Sequence, residues 1–505
     1  MPLTTKSIKK SIFPERTSCF AAADTQFVTE EMVRDAPYFS GSEKFVDTQK
    51  IKGVSTPNET KSLPSSNCFD KITIMAGSSG IFFISLILIG VWLILGIVFG
   101  ATDTWQIMFQ NASSIQVYIT DILLIRQQQN ANQALLTTLA ELQSRRETCT
   151  RLLAKIPESK YGNSNEKHEC MIDSKSFDDN SDEQDYLLIA KPTGIRLSWI
   201  SICSIVAQAL GSIWSFIFYW IGIGIWVAVG PSLGFSNTWQ LYINTATALA
   251  LTFTSIFLQN IQQHQEDKLS RCLEQALKID AGIELQLRAL TGDQKPNPIY
   301  TIPAAPRSFI ERLIDGFADI MGSGAGVVIS LLFTVAWIIS GPALKFNDNW
   351  WLIIGTFTGL IGFIDGFILR SLYFREESYT KLQFQKLASS DSILLEKLHI
   401  LYKQEEPRTL GLAERISLSI GNACGHRYAS VGSVAVVIIL LTVASSMLWS
   451  ESGQLLCNTP TMIVEGFLLL VLIQAHNHAN EERVADFSGL LKRRLLLHGS
   501  VLSLT

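Results

Sequence analysis

A spacing pattern of tryptophan, glycine and a turn-forming polar residue recurs along this chain and restricts the folds open to it. The clearest copy joins two apolar runs through an uncharged connection and ends in a second tryptophan. Its members are Trp226, Gly230, Gly234, Asn237 and Trp239. A pattern of this kind, with apolar runs on both sides of a short turn, predicts a helical hairpin.

Two further copies keep the same offsets, and a fourth is less regular. The matching residues are Trp92, Gly96, Gly100, Asp103 and Trp105 in one copy, and Trp337, Gly341, Asp348 and Trp350 in the other, where Lys345 replaces the second glycine. In the fourth copy we align Trp449 and Gly453 with the first tryptophan and glycine, and Met462 replaces the second tryptophan. Four related hairpins are the simplest interpretation.

The apolar residues are concentrated in long runs, such as residues 81–99 and 431–448. Of the 505 residues, 47% are apolar and only 17% are charged. Because an α-helix needs about 20 mainly apolar residues to cross a bilayer, these runs predict an all-α polytopic membrane protein.

Charge and cysteine usage exclude several other classes. A net charge of −4 provides no basic patch for a nucleic acid. The eight cysteines show no C-x-x-C spacing, so neither a zinc knuckle nor a disulfide framework is indicated. The sequence contains no P-loop pattern. The residues that follow Met1 include no apolar core, so a cleaved signal peptide is not expected. We therefore expect no cofactor and no nucleic-acid partner, and we expect the lipid bilayer to surround the apolar runs.

We divide the chain into a tail, an insert and four repeats. Residues 1–66 lack apolar periodicity and are expected to form a disordered cytosolic tail, and the acidic insert 156–192 is expected to be a solvated linker. The repeats cover residues 67–155, 193–295, 296–406 and 407–505. Each holds two spans and a trailing segment with leucines at helical spacing. The predicted fold is eight transmembrane helices in four tandem hairpins, each followed by an amphipathic cytosolic helix that could also join copies into a homo-oligomer.

The distribution of basic residues predicts the orientation. The turns inside the hairpins contain Lys345 alone, and the other 40 of the 41 lysines and arginines lie elsewhere. Because cationic segments stay in the cytosol, both termini are expected there and all four hairpins have the same orientation. The paired tryptophans are interpreted as an aromatic belt at the outer membrane surface.

Few ionisable residues fall within the predicted spans, and such residues are candidates for function because they are costly there. They are Asp121, Asp365 and Glu465. The fourth span has no charge but carries amides, among them Asn244 and Gln259. Carboxylate and amide oxygens can replace part of the hydration shell of a divalent cation, so these residues are candidate metal ligands. A buried structural hydrogen bond is the alternative for each carboxylate.

Two arginines and two histidines complete the candidates. Asp121 and Asp365 are each followed five residues later by Arg126 or Arg370, which suggests crosswise pairs between Asp121 and Arg370 and between Asp365 and Arg126. The alternative is that both arginines extend to the cytosolic headgroups. His476 and His478 follow the eighth span, where a metal-binding role near a cytosolic exit competes with an ordinary interfacial position.

Several segments resemble the fungal low-affinity iron permeases. The similarity is close in residues 84–92, 104–106, 113–118 and 126–128, and again from Asn237 to Asn260. It extends over roughly residues 70 to 500, without the tail and the acidic insert. This resemblance implies a plasma-membrane carrier for ferrous iron that also passes zinc, copper and cobalt.

Three classes of function compete on these observations. A divalent-metal transporter or channel is favoured by the intramembrane carboxylates and the resemblance. A membrane enzyme with a di-iron centre needs several histidine clusters, but only His476 and His478 of the seven histidines are near one another. A membrane scaffold or channel subunit that assembles through its trailing helices is compatible with the pattern and does not exclude transport.

Overall fold

The protein, seen in a computed structural model, is described for residues 18–27, 68–100, 102–157, 195–400 and 410–502. In these residues the chain forms twelve α-helices in four groups of three, each with a short helix, an outer helix and a long inner helix. The short helices are α1 Cys68–Ala76, α4 Ile195–Leu210, α7 Phe309–Met321 and α10 Leu412–Cys424. The outer helices are α2 Ser79–Phe99, α5 Ile213–Val229, α8 Gly324–Ser340 and α11 Arg427–Ser446. The inner helices are α3 Asp103–Leu153, α6 Asn237–Thr291, α9 Asp348–Lys397 and α12 Glu451–Leu502.

Each inner helix joins a predicted second span and its trailing amphipathic helix into one element of 50 to 55 residues. It begins at a polar N-cap residue whose side chain accepts a hydrogen bond from a backbone N–H three residues later, which satisfies one free donor of the first turn. The N-cap residues are Thr102, Ser236, Asn347 and Ser450. We number positions along each inner helix from this residue.

The turn before the N-cap corrects the register of the fourth repeat. The backbone N–H groups of Phe235, Phe346 and Trp449 each donate to the carbonyl five residues earlier, at Gly230, Gly341 and Ala444. All three donors have left-handed φ angles of 49 to 53°. Trp449 is therefore a turn residue, and the alignment that placed it as the first tryptophan of the pattern is wrong. Leu440 and Gly453 occupy the tryptophan positions in this repeat.

The tryptophan pairs connect the two helices of a hairpin. Trp226 and Trp239 stack with ring centroids 3.9 Å apart, and each indole N–H donates to the backbone carbonyl of the other residue at 3.0 Å. Trp337 and Trp350 repeat this arrangement with reciprocal hydrogen bonds of 2.8 Å. Because Trp239 is buried, the rings act first as a clasp between helices, in contrast to the predicted aromatic belt.

The four inner helices form a parallel bundle with the ring order α3, α6, α12, α9. Contacts near their beginnings and near their ends join the same neighbours, as between α3 and α6, where Gln110 Nε2 donates to the Leu241 carbonyl and Arg145 Nε lies 3.0 Å from Glu284 Oε2. Similar pairs connect α12 with α6 and α9, and α9 with α3. The repeats therefore have the same orientation, but the third and fourth exchange places around the ring.

Each outer helix packs against the inner helix of the next repeat around the ring. At the joint between a short and an outer helix, a glycine allows close packing, as at Gly211, where a Cβ atom would lie 2.6 Å from Asn477 Nδ2. The Asn477 amide donates to the Ala207 carbonyl at 2.7 Å, and Asn260 on α6 donates in a similar way to Gly77. Repeats thus interlock side by side.

A small antiparallel sheet covers the half of the bundle formed by the C-terminal halves of the inner helices, which we call the distal half. Strand β1 Cys19–Ala21 pairs with β2 Tyr300–Ile302, and Ala23 N–H donates to Ser144 Oγ on α3 at 3.1 Å. The interpretation of residues 1–66 as one disordered tail is therefore wrong for residues 18–27, which find their hydrogen-bond partners on α3 and α6. Residues 1–17, residues 28–67 and all but the first two residues of the predicted insert 156–192 lie outside the described residues.

Six helices in the described part of the chain are long and apolar enough to cross a membrane: α2, α6, α9, α11, α12, and α5 together with the 3₁₀ turn that follows it. The pair α7 and α8, bent by 63°, raises the number to seven. Helix α3 is too polar to qualify by composition, because its first half carries the buried amides and hydroxyls of Gln106, Gln110, Asn111 and Ser113. The protein is thus a multi-pass, mainly helical membrane protein.

Candidate functional site

A cavity of about 20 Å³ lies between the four inner helices at position 26. All four helices contribute one side chain at this position, namely Gln128, Gln262, Tyr373 and His476. The residues at position 26 therefore face the bundle axis. Because neighbours on one helix face recur every three or four residues, positions 22, 18, 15, 11 and 8 face the same way. We call the cavity at position 26 the vestibule.

Two rings of chemically similar side chains follow from this register. Position 11 holds four buried hydroxyl residues: Ser113, Thr247, Thr358 and Thr461. Position 22 holds four buried leucines, which pack in one cluster: Leu124, Leu258, Leu369 and Leu472. The hydroxyl ring can exchange hydrogen bonds with a hydrated ion, whereas the leucine ring closes the axis with apolar surface.

Amides form a layer one turn before the hydroxyl ring. Position 8 holds Gln110, Asn244, Gly355 and Asn458. Asn244 is fully buried and neither of its amide atoms has a hydrogen-bond partner, and the same is true of Asn458 Oδ1. Buried polar atoms without partners are uncommon and costly, which indicates a place for water or an ion.

The three predicted carboxylates lie between the hydroxyl ring and the leucine ring. Glu465 is at position 15, Asp365 at position 18 and Asp121 at position 19, and all are buried. Glu465 packs against Gly362 of α9, where a Cβ atom would lie 2.7 Å from Oε1. Both oxygens of Asp365 and one of Asp121 have no hydrogen-bond partner. The carboxylates are near enough for their charges to interact.

Arg370 lies beside these carboxylates but makes its hydrogen bonds elsewhere. Its Nε donates to the Leu468 carbonyl of α12 at 2.5 Å, and Nη1 donates to the Gly366 carbonyl. Its charge acts on Asp121, although these two described residues form no ion pair. Arg126 pairs with Asp70 of α1 at 2.9 Å and not with Asp365, so the predicted crosswise pairs are wrong. Charged groups from three inner helices nevertheless meet at one level.

The histidines and Gln259 occupy different environments. His476 is buried, its ring stacks on Tyr373 at 4.2 Å, and its Nδ1 lies 2.9 Å from the Leu472 carbonyl. Because a carbonyl only accepts, Nδ1 carries the proton and Nε2 keeps a lone pair without a partner. His478 instead lies 3.5 Å from Glu482, outside the vestibule lining. Gln259 is buried at position 23, and its Nε2 has no partner.

One acidic group of the vestibule has a perturbed pKa. Burial raises the pKa of Glu266 to about 7, and hydrogen bonds donated by Gln127 and Gln262 oppose this shift. A carboxyl of this kind changes charge near neutral pH.

Comparisons with known proteins identify the relatives of this chain. The family model described as low affinity iron permease matches residues 66–178, 200–288, 310–405 and 413–504. The low-affinity iron/zinc ion transport protein fet4 of Schizosaccharomyces pombe is 43% identical over 85% of this chain and 72% of that protein. The low-affinity Fe(2+) transport protein of Saccharomyces cerevisiae is 34% identical over 85% of this chain and 81% of that protein. No solved structure matches the chain.

The chain belongs to the low-affinity iron permease family. The resemblance noted in the sequence is thereby confirmed, and the family and both relatives are transporters and not enzymes. The four matched segments fall on the four repeats of the permease, and each covers all or nearly all of one inner helix.

The described part of this permease contains no group of three His, Cys, Asp or Glu side chains preformed as a ligand set for one metal ion. Its polar interior is instead distributed along the axis in layers. Sequence reasoning missed the hydroxyl ring and the leucine ring, since both emerge only when the repeats are aligned on their N-cap residues. Aligning the four repeats on the N-cap residues Thr102, Ser236, Asn347 and Ser450 would have found both rings.

Proposed function

We propose that this protein carries out low-affinity transport of Fe²⁺ along the axis of its four inner helices. The observation that carries the proposal is the burial of Asp121, Asp365 and Glu465 inside the bundle, in a chain of the low-affinity iron permease family. Both relatives are named as low-affinity iron transporters. Transport of zinc is supported by the name of the fission yeast relative, and copper and cobalt follow from the family resemblance alone.

The layers suggest how a hydrated divalent cation is handled on this route. Asn244 and Asn458 offer amide groups at the entrance, and the hydroxyl ring follows. The carboxylates then supply charge: if all are ionised, three carboxylates and Arg370 sum to −2, which balances one divalent cation. Oxygen ligands of this kind replace water around Fe²⁺ without holding it tightly, as low affinity requires. The leucine ring is then the barrier between this level and the vestibule.

An even number of membrane crossings fits the fold. The segment 18–27 and the end of α12 both lie at the distal ends of the inner helices, so the chain begins and ends its described course on one side. Because the inner helices are parallel, an outer helix must return the chain before each of them. This supports eight crossings, with α3 and the pair α7 and α8 included. We place both termini and the distal halves in the cytosol from the distribution of lysine and arginine. A plasma-membrane location is what the family resemblance implies.

The trailing helices bury their apolar faces within one chain. Leucines from α3, α6, α9 and α12 pack together in the distal half, in clusters that include Leu139, Leu273, Leu387 and Leu490. A homo-oligomer through these helices stays a prediction, and a channel mechanism is the alternative to a carrier.

Neutralising the central carboxylates tests the proposed route. We expect Asp365→Asn and Asp121→Asn each to lower Fe²⁺ uptake by at least about tenfold, equivalent to about 1.4 kcal/mol. The measurement is radioactive iron uptake in a host without its own iron transporters, normalised to the amount of protein at the cell surface. Asp103→Asn, at the exposed start of α3, is the matched control and should keep normal uptake. Normal uptake by both central variants would contradict the proposal.

A further inference from the structure

Beyond the vestibule the bundle axis is blocked by apolar side chains. Positions 37 and 40 of the inner helices form one buried cluster: Leu139, Leu273, Phe384, Phe487, Leu142, Ala276, Leu387 and Leu490. Position 44 follows with Arg146, Asp280, Asp391 and Arg494, whose charges alternate around the ring and are paired at 3.1 to 3.3 Å. An ion in the vestibule therefore has no polar continuation along the axis, and it has to leave between two helices.

The vestibule has a second cavity at its side. This side cavity, of about 200 Å³, lies between α3, α9 and the segment that follows β2. Its lining includes Gln133 on α3, Tyr379 on α9 and the residues 302–305. Asn132 and Glu376 line both cavities. These two side chains thus form the wall that separates the vestibule from the side cavity.

Two other neighbouring helix pairs are joined by charged or amide contacts at this level. Between α3 and α6, Gln127 donates to Glu266 at 3.2 Å and Gln262 donates to Gln128 at 3.3 Å. Between α9 and α12, Arg483 forms an ion pair with Glu377. Between α3 and α9, the Thr380 hydroxyl donates to Asn132 Oδ1 at 3.0 Å, and a hydroxyl can rotate to other acceptors.

The groups along this side route are suitable for a divalent transition metal. His476 presents the Nε2 lone pair within the vestibule, and Glu376, which is 3% exposed, adds a carboxylate on the dividing wall. Cys19 also lines the side cavity, but its thiol lies 3.2 Å from the Thr137 hydroxyl and is not assigned to the route. Imidazole and carboxylate are ligands that Fe²⁺ and Zn²⁺ accept. The guanidinium groups of Arg307 and Arg375, which also line the side cavity, are both paired with Asp315.

We propose that the transported metal leaves the vestibule laterally, between α3 and α9, passing from His476 to Glu376 and out through the side cavity. This inference rests on the proposed transport along the axis and adds the exit to it. It assigns Glu376 and His476 a role in releasing the metal from the vestibule. Asn132, the other side chain of the dividing wall, has to move aside to let the metal pass.

Selective blocking of the side cavity tests the exit. Gln133→Cys, on its α3 wall, and Ala305→Cys, on the facing wall, are each made in the full chain carrying Cys19→Ser. Ser378→Cys is the matched control, because Ser378 and Gln133 are both exposed and both at position 31 of their helices. Inside-out vesicles are treated with a bulky, membrane-impermeant maleimide, and Fe²⁺ flux is compared before and after treatment. The Cys19→Ser chain, treated in the same way, corrects for the other native cysteines.

We expect labelling to reduce Fe²⁺ flux by about tenfold or more in Gln133→Cys and Ala305→Cys, as a steric block of the route requires, and to leave Ser378→Cys near its untreated flux. Unchanged flux in both side-cavity variants, with labelling verified by mass spectrometry, would overturn the lateral exit. An equal loss in Ser378→Cys would overturn it as well. The flux of each untreated chain reports separately on the proposed transport function.

Discussion

At the scale of single residues, the tryptophan pairs show how one side chain can be both a sequence marker and a structural connection. Trp337 and Trp350 stack in nearly parallel planes, 6° apart, and exchange hydrogen bonds with each other's backbone carbonyls. The first repeat has the stack between Trp92 and Trp105, but the Trp105 indole nitrogen has no hydrogen-bond partner. The repeats therefore offer an internal comparison of the same clasp with and without its hydrogen bonds.

We expect Trp350→Phe to lower thermal stability in detergent more than Trp105→Phe does. The first change removes an indole hydrogen bond to the Trp337 carbonyl, a loss of about 1 kcal/mol, although this carbonyl still accepts from Ser340 Oγ, whereas the second removes stacking area alone. The measurement is the midpoint of thermal unfolding of the purified protein. Equal midpoints for the two variants would show that the reciprocal hydrogen bonds contribute nothing to the clasp.

Glu266 gives a residue-scale prediction about pH. Its pKa is raised from 4.5 to about 7 because burial disfavours the ionised form. The folded state then binds this proton more tightly than the unfolded state, which adds to the free energy of unfolding at low pH. That added stability is lost as pH rises from about 4.5 to about 7. We expect a decrease in unfolding free energy on the order of 2 kcal/mol over that range, reduced by the partial exposure of the side chain.

The Glu266→Gln variant isolates this effect, since glutamine resembles the protonated acid and does not titrate. Its thermal midpoint should vary less between pH 5 and pH 8 than that of the parent protein. Identical pH profiles for the two proteins would mean that the folded state does not raise this pKa.

At the scale of elements, the inner helices are long because span and trailing helix share one uninterrupted hydrogen-bond ladder. A helix of 50 residues is about 75 Å long, more than twice the thickness of the hydrocarbon core. The excess length forms a second bundle outside the membrane. That distal bundle has apolar layers near its middle and the charged ring at position 44 further out.

We expect Asp391→Asn to destabilise the distal bundle by about 3–5 kcal/mol, because it removes a buried carboxylate that three arginines share, although Arg494 keeps Asp280 as a second partner. Asp391 lies 3.2 Å from Arg494, 3.3 Å from Arg146 and 3.4 Å from Arg493. Chemical denaturation followed by helical circular dichroism measures the change. Glu274→Gln is the control, since its pair with Lys278 is about half exposed and contributes less than about 0.5 kcal/mol. A similar stability for the two variants would argue against a structural role for the charged ring.

At the scale of the whole molecule, sequential repeats do not occupy sequential places. The ring order α3, α6, α12, α9 puts the fourth inner helix between the second and the third. Each outer helix then packs on the inner helix of its neighbour, as Tyr219 of α5 does when its hydroxyl donates to the Ile463 carbonyl of α12 at 2.6 Å. Cyclic interlocking of this kind joins four similar units into one bundle, although each repeat by itself would leave its polar face unpaired.

Much of the architecture could be predicted from the sequence, because it depends on local properties. The apolar runs, the polar N-cap residues and the helical spacing of the leucines lie within single segments, and they define the hairpins and the trailing helices. The burial of Asp121, Asp365 and Glu465 also follows from their places in apolar runs. Family membership follows from similarity along the chain.

Other features were decided by contacts between residues far apart in sequence. The pairing of Arg126 with Asp70, the place of Trp449 in a turn and the folding of residues 18–27 onto α3 each depend on which surfaces meet. The same is true of the ring order and of the layers along the axis, since a helix pattern defines a face but not its neighbour. The sequence determined which residues are helical and which are costly to bury, and the tertiary structure alone decided which of them face one another, because that choice is made by packing and hydrogen bonding across the bundle.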